Sequence, residues 1–108
     1  MFKRGDIWLA NLNKEYKVGV QSGVKPVLIV SNDTGNTYSP SVIVVVITSR
    51  TKKDIPTHTD IYLRKWSTVM CEQMFTISKE DLITFERKAT QEELERVNKC
   101  LKISLGVR

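Results

Sequence analysis

Apolar and polar positions alternate through "DIWLANL", Asp6 to Leu12, so that Ile7 and Leu9 point one way while Trp8, Ala10 and Leu12 point the other. This is the period of a half-buried strand. A long polar loop, Asn13 to Val24, follows with Gly19 and Gly23 in it, and then come the apolar segments "KPVLIV" and "SVIVVVITS". The unbroken run Val42–Ile47 has the length of a buried strand. No apolar run approaches the ~18–20 residues that span a bilayer. Between the two segments, "SNDTGNTYSP" reads as turn chemistry, because Asn32, Asp33, Gly35 and Asn36 tolerate left-handed backbone or bond their own backbone. Past the basic turn "RTKKDIP", short strands are predicted near "HTDIYL", "STVMCEQ" and "ITFERK".

The period changes at the end of the chain. In "ATQEELERVNKCLKISLG", Leu94, Val97, Leu101 and Leu105 fall on one helical stripe with Cys100 beside it. Thr90 and Glu93 have the spacing of a capping box, and Gly106 is placed to stop the helix. The pattern therefore predicts a mainly β fold, a small antiparallel barrel, with a C-terminal α-helix packed on it. Such barrels act through their connecting loops, here Asn13–Val24, Ser31–Pro40 and the basic Arg50–Thr57.

Length and charge refine this picture. The 108 residues are expected to form one domain, 1–108, with a single modest core. The formal charge of +5 is unevenly spread: residues 1–70 carry ten Lys/Arg against five acids, and residues 71–108 carry seven of each. One basic face suits a polyanion, either nucleic acid or an acidic protein segment. Cys71 and Cys100 have no metal-ligand spacing and read as reduced core thiols. The start, "MFKRGDIW", is too short and polar for a signal peptide, and a cytoplasmic protein without membrane contact is expected.

The blocks "RGDIWLANL", "GVKPVLIVSNDTGNTYSPSVIVVVITSR", "PTH", "CEQ" followed by "TI", and "LKISLG" resemble the MazF/PemK family of toxin endoribonucleases from bacterial toxin–antitoxin pairs. They follow the family's order and cover nearly the whole chain. The resemblance implies an SH3-like barrel of the plasmid-maintenance-toxin (CcdB-like) type, a homodimer, and cutting of single-stranded RNA at short motifs without metal or cofactor. It also implies a MazE-like antitoxin whose acidic tail lies over the RNA groove. The catalytic pair it implies is Lys25, at the position of the family's arginine, with Thr48, the threonine closing the "VIVVVIT" strand. RNA contacts are implied for Gln21, Ser22, Ser49, Arg50, Lys52, His58, Glu72 and Gln73.

Some positions depart from the family pattern. Lys25 gives a point charge where a guanidinium gives a planar fork, so weaker cleavage is expected. Val20 stands where some members carry glutamate, Val18 and Gly19 replace a Gly-Ser pair, and Phe75 replaces a basic residue. Phe75 is read as core or interface, and Trp66 as a barrel lid or an antitoxin contact. These departures keep open a second reading, a catalytically degenerate module that still docks RNA or antitoxin. Fold analogy adds a third, a topoisomerase poison like the related CcdB toxins.

Overall fold

A computed structural model describes residues 1–12, 23–49 and 54–108. The β-branched segments form the strands that the alternation predicts: β1 (Asp6–Asn11), β2 (Val24–Ile29), β3 (Ser41–Thr48), β4 (His58–Tyr62), β5 (Trp66–Ser78) and β6 (Leu82–Lys88). They make one six-stranded antiparallel sheet in the order β4-β5-β3-β2-β1-β6, curled into a half-barrel. A 3-10 turn at Lys79–Asp81 leads into β6. The helix α2 (Gln91–Leu105) closes the chain and packs on β4 and β5.

The two faces of the sheet carry two cores. Ile7, Leu28, Val45, Ile47, Ile61, Val69 and Cys71 pack with Val97, Cys100 and Leu101 of α2. Ala10, Leu12, Val27, Ile29, Val42, Val44, Val46, Met70, Ile77 and Leu82 form the second, edged by Phe2, Trp8 and Phe75. The alternation read in β1 is thus realised, and Phe75 is a partly buried packing residue. The free edges of the half-barrel are tied by side chains rather than by a ladder. Arg87 of β6 donates to the Tyr62 carbonyl of β4 at 2.7 Å, and Arg64 reaches Glu86 at 3.1 Å. The same Arg87 pairs with Glu93 of α2 at 2.9 Å.

The stretch "RGD" is a structural clasp. Gly5 has φ +94, donates to the Ile29 carbonyl and accepts from Ala89 N–H. A Cβ there would sit 3.0 Å from Leu94, so both the dihedral and the space favour glycine. Arg4 donates to the Val30 carbonyl and to Asn98 of α2. The buried Asp6 carboxylate accepts from Lys3 N–H and pairs with Lys88 at 2.9 Å. The N-terminus is thereby fixed to β2, β6 and α2 together.

Three expectations need correcting. The segment Ser31–Pro40, expected to be a turn, contains the short helix α1 (Asp33–Tyr38). Asn32 caps it, its side chain accepting from Gly35 N–H at 2.8 Å, and the buried Asn36 donates to the Ser31 carbonyl. The same polar residues that permit turns are good N-caps, and local sequence does not choose between the two. The strand expected at "STVMCEQ" runs on as β5 to Ser78. In α2 the capping box and the left-handed Gly106 form as expected, yet Leu105 is 59% exposed, since in the last turn it is Ser104 that faces the sheet, donating to the Cys71 carbonyl.

Candidate active site

The register of the central strands builds the site. β2 and β3 pair antiparallel with Val27 opposite Val46 and Leu28 opposite Val45. Carried two residues beyond Val27, the same register sets Lys25 across from Thr48. Directly opposed residues share a face and stand about 5 Å apart. Lys25 is also opposite Ala10 of β1, and Thr48 is opposite Thr68 of β5, which is opposite Asp60 of β4. One row, Ala10–Lys25–Thr48–Thr68–Asp60, thus crosses five strands with its side chains on one face.

Lys25 is half-buried and Thr48 is 1% exposed. A lysine ammonium across from a buried threonine is suited to hold a phosphate and to stabilise charge that builds on its oxygens. Ser49, one residue beyond Thr48, turns to the other face. There it lines a cavity of about 420 Å³ with Leu9, Pro26, Leu63 and Arg87.

The segment "CEQ" is a bulge. Val45 pairs with Met74 while Val46 pairs with Met70, so Cys71, Glu72 and Gln73 are extra residues on β5. Bulges re-aim side chains. This one brings the Glu72 carboxylate to 2.9 Å from His58 Nε2 and lets it accept from the Thr57 hydroxyl at 3.0 Å. His58 itself is opposite Met70 and is anchored through its backbone N–H to the Ile55 carbonyl. It shares the row's face but lies two strand spacings, roughly 10 Å, from Val46, and so is offset by two residues from the row through Thr48 and Lys25.

Partial burial pushes the Glu72 carboxyl up, but the hydrogen bonds from His58, its own backbone and Thr57 outweigh this and hold it below its ordinary 4.5. A depressed carboxylate contributes stability that is present above the unfolded value and is lost as pH falls through the folded one. Glu72→Gln removes that term. The melting temperature of the wild type should therefore fall more steeply than that of Glu72→Gln between about pH 5 and 3. Parallel curves in circular-dichroism melts would show that the link contributes nothing.

The thiols stay out of this chemistry. Burial pushes Cys71 up to about 12 and raises Cys100 as well, and Cys100 donates to the His58 carbonyl. Among the described residues no three His, Cys, Asp or Glu side chains converge as a metal site. Gln21, Ser22, Arg50 and Lys52 lie outside the described residues. Their segments join β1 to β2 and β3 to β4, the connections that adjoin Lys25 and Thr48 in the chain. Sequence reasoning missed Thr68 and Asp60. Their only signal is position on predicted strands, and the strand order needed to place them beside Thr48 is not local information.

The curled antiparallel sheet with its C-terminal helix is the fold of solved MazF structures. A solved structure of MazF from Deinococcus radiodurans superposes with TM-score 0.84 at 19% identity, over 97% of this chain and 96% of that one. An endoribonuclease in complex with its cognate antitoxin, from a mycobacterial species, superposes with TM-score 0.83 at 25% identity, over 100% and 98% of the two chains. Residues 3–105 match the PemK-like, MazF-like toxins of type II toxin–antitoxin systems, and the chain belongs to that family. A relative from Staphylococcus saprophyticus, named Endoribonuclease MazF, is 40% identical over 99% of this chain and 93% of its own.

Proposed function

We propose that this chain is the endoribonuclease toxin of a toxin–antitoxin pair, cutting single-stranded RNA without a metal ion. The register that sets Lys25 across from Thr48 carries the reading. In the reaction the ribose 2′-oxygen attacks the adjacent phosphorus, the bond from phosphorus to the 5′-oxygen breaks, and the proton lost by the 2′-hydroxyl is matched by one gained at the leaving oxygen. The products are a 2′,3′-cyclic phosphate and a 5′-hydroxyl. The Lys25 ammonium binds the non-bridging oxygens as their charge rises, and the Thr48 hydroxyl, donor and acceptor at once, hydrogen-bonds at the same phosphate. His58, Glu72 and Gln73 flank the strand's path, with Gln21, Ser22, Arg50 and Lys52 as further RNA contacts.

The relatives' names support the activity, and the solved complex with an antitoxin supports the partner. An acidic antitoxin segment would be drawn to the basic first two-thirds of the chain. The protein acts as a homodimer in the cytoplasm on this reading. Ile83 and Phe85, exposed on the edge strand β6, offer apolar surface that a second copy can cover. No described helix is long and apolar enough to cross a membrane.

The test is incubation of purified protein with a long single-stranded RNA in chelator, followed by mapping of the ends. Discrete cuts that leave cyclic phosphate termini are expected. Intact RNA, or cutting only after a divalent metal is added, rejects the proposal.

A further inference from the structure

One strand beyond Thr48, at the β4 edge of the sheet, lies a cavity of about 580 Å³ lined by Asp54, His58, Asp60, Trp66 and Thr68, with Thr59 and Arg96 reaching it from the helix side. The β4–β5 register explains why these groups meet. Tyr62 is opposite Trp66, Asp60 opposite Thr68 and His58 opposite Met70, and alternation puts all of them on the face of Thr48. Three features of this pocket have no structural use in the fold. Trp66 is 69% exposed and makes an edge contact with Tyr62 at 5.4 Å. Thr68 is 6% exposed, and its hydroxyl has no hydrogen-bond partner among the described residues. Asp54 and Asp60 carry no ion pair there, whereas Arg96 is already engaged by Glu92, Thr59 and the Asp60 carbonyl.

A large exposed indole, a hydroxyl open to the cavity and two free carboxylates describe a slot for a flat, uncharged ring that donates hydrogen bonds. A phosphate does not suit it, because the carboxylates repel anions and the one arginine is occupied. We propose that this pocket takes one nucleobase next to the scissile phosphate and selects for an amino group on its Watson–Crick edge. This proposal rests on the ribonuclease reading for its position along the RNA. Trp66 stacks on the ring, Asp60 and Asp54 accept from the exocyclic N–H of adenine, cytosine or guanine, and Thr68 bonds a ring nitrogen or carbonyl. Uracil is disfavoured, since its single ring N–H lies between two carbonyl oxygens that face the carboxylates.

The experiment measures binding separately from cutting. End-labelled 2′-O-methyl oligo(A), oligo(C) and oligo(U) cannot be cleaved, and their affinity for the protein is read by fluorescence anisotropy. Wild type should bind oligo(U) roughly tenfold more weakly than oligo(A) or oligo(C). Asp60→Asn, whose amide can donate to a carbonyl, should narrow that gap, and Trp66→Ala should weaken binding of all three by about tenfold or more. Equal affinity for the three oligomers in wild type, or affinities unchanged in Trp66→Ala, overturns the assignment. If the binding pattern appears while natural RNA stays intact, the base pocket stands and the cleavage reading falls.

Discussion

Lys25→Ala is expected to lower RNA cleavage by about 10²–10³-fold, the usual loss when one preorganised donor to a developing oxyanion is removed. The loss should fall on kcat, because the ammonium is worth more as charge accumulates on the phosphorane than in the bound substrate. Thr48→Ala should show a comparable loss, and the double variant should lose little more, as groups acting on one phosphate are not additive. Melting temperatures should barely move for Lys25→Ala, since this half-buried side chain stands near the start of β2 and belongs to neither core. Lys25→Arg is the informative gain. A planar fork matches two phosphate oxygens where an ammonium offers a point charge, and cleavage should rise roughly tenfold, about 1.4 kcal/mol. A silent wild type made active by Lys25→Arg would instead mark the natural protein as a binding module. A Thr48→Ala variant that cuts like wild type would remove Thr48 from the mechanism.

The second large effect is on stability. Leu28 is fully buried in the centre of the sheet, opposite Ile7 on β1 and Val45 on β3, in the core that Val97 and Leu101 of α2 complete. Truncation to alanine leaves a cavity that three neighbouring elements cannot close together, and Leu28→Ala should cost about 2–5 kcal/mol. Against a total of about 5–15 kcal/mol for a domain of this size, that is a large share. Urea unfolding followed by circular dichroism should show a lower midpoint with an unchanged slope. A loss below about 1 kcal/mol would mean that the core relaxes into the space. Because Leu28 points away from the face of Lys25, residual folded enzyme should keep its kcat.

Much of this molecule was legible along the chain. The alternation of β1, the apolar run of β3 and the capping box of α2 each depend on neighbours within a few residues, and each formed as the pattern predicts. The family likeness also marked Lys25 and Thr48 as residues to watch. Where local chemistry permits two outcomes the sequence was silent, as at Asn32–Asn36, whose side chains serve a turn or a helix cap equally well.

What local pattern could not supply was adjacency. Lys25 and Thr48 become neighbours only through the β2–β3 register, and Thr68 and Asp60 join them only because β5 and β4 take the next places in the sheet. The bulge at Cys71–Gln73, which turns Glu72 toward His58, is likewise a mismatch between two strands rather than a property of one. Sequence by itself determined where most strands and the C-terminal helix lie and which side of each is apolar, because those follow from short-range periodicity. Tertiary structure alone decided which polar groups meet, because strand order and register are set by the packing of both sheet faces at once.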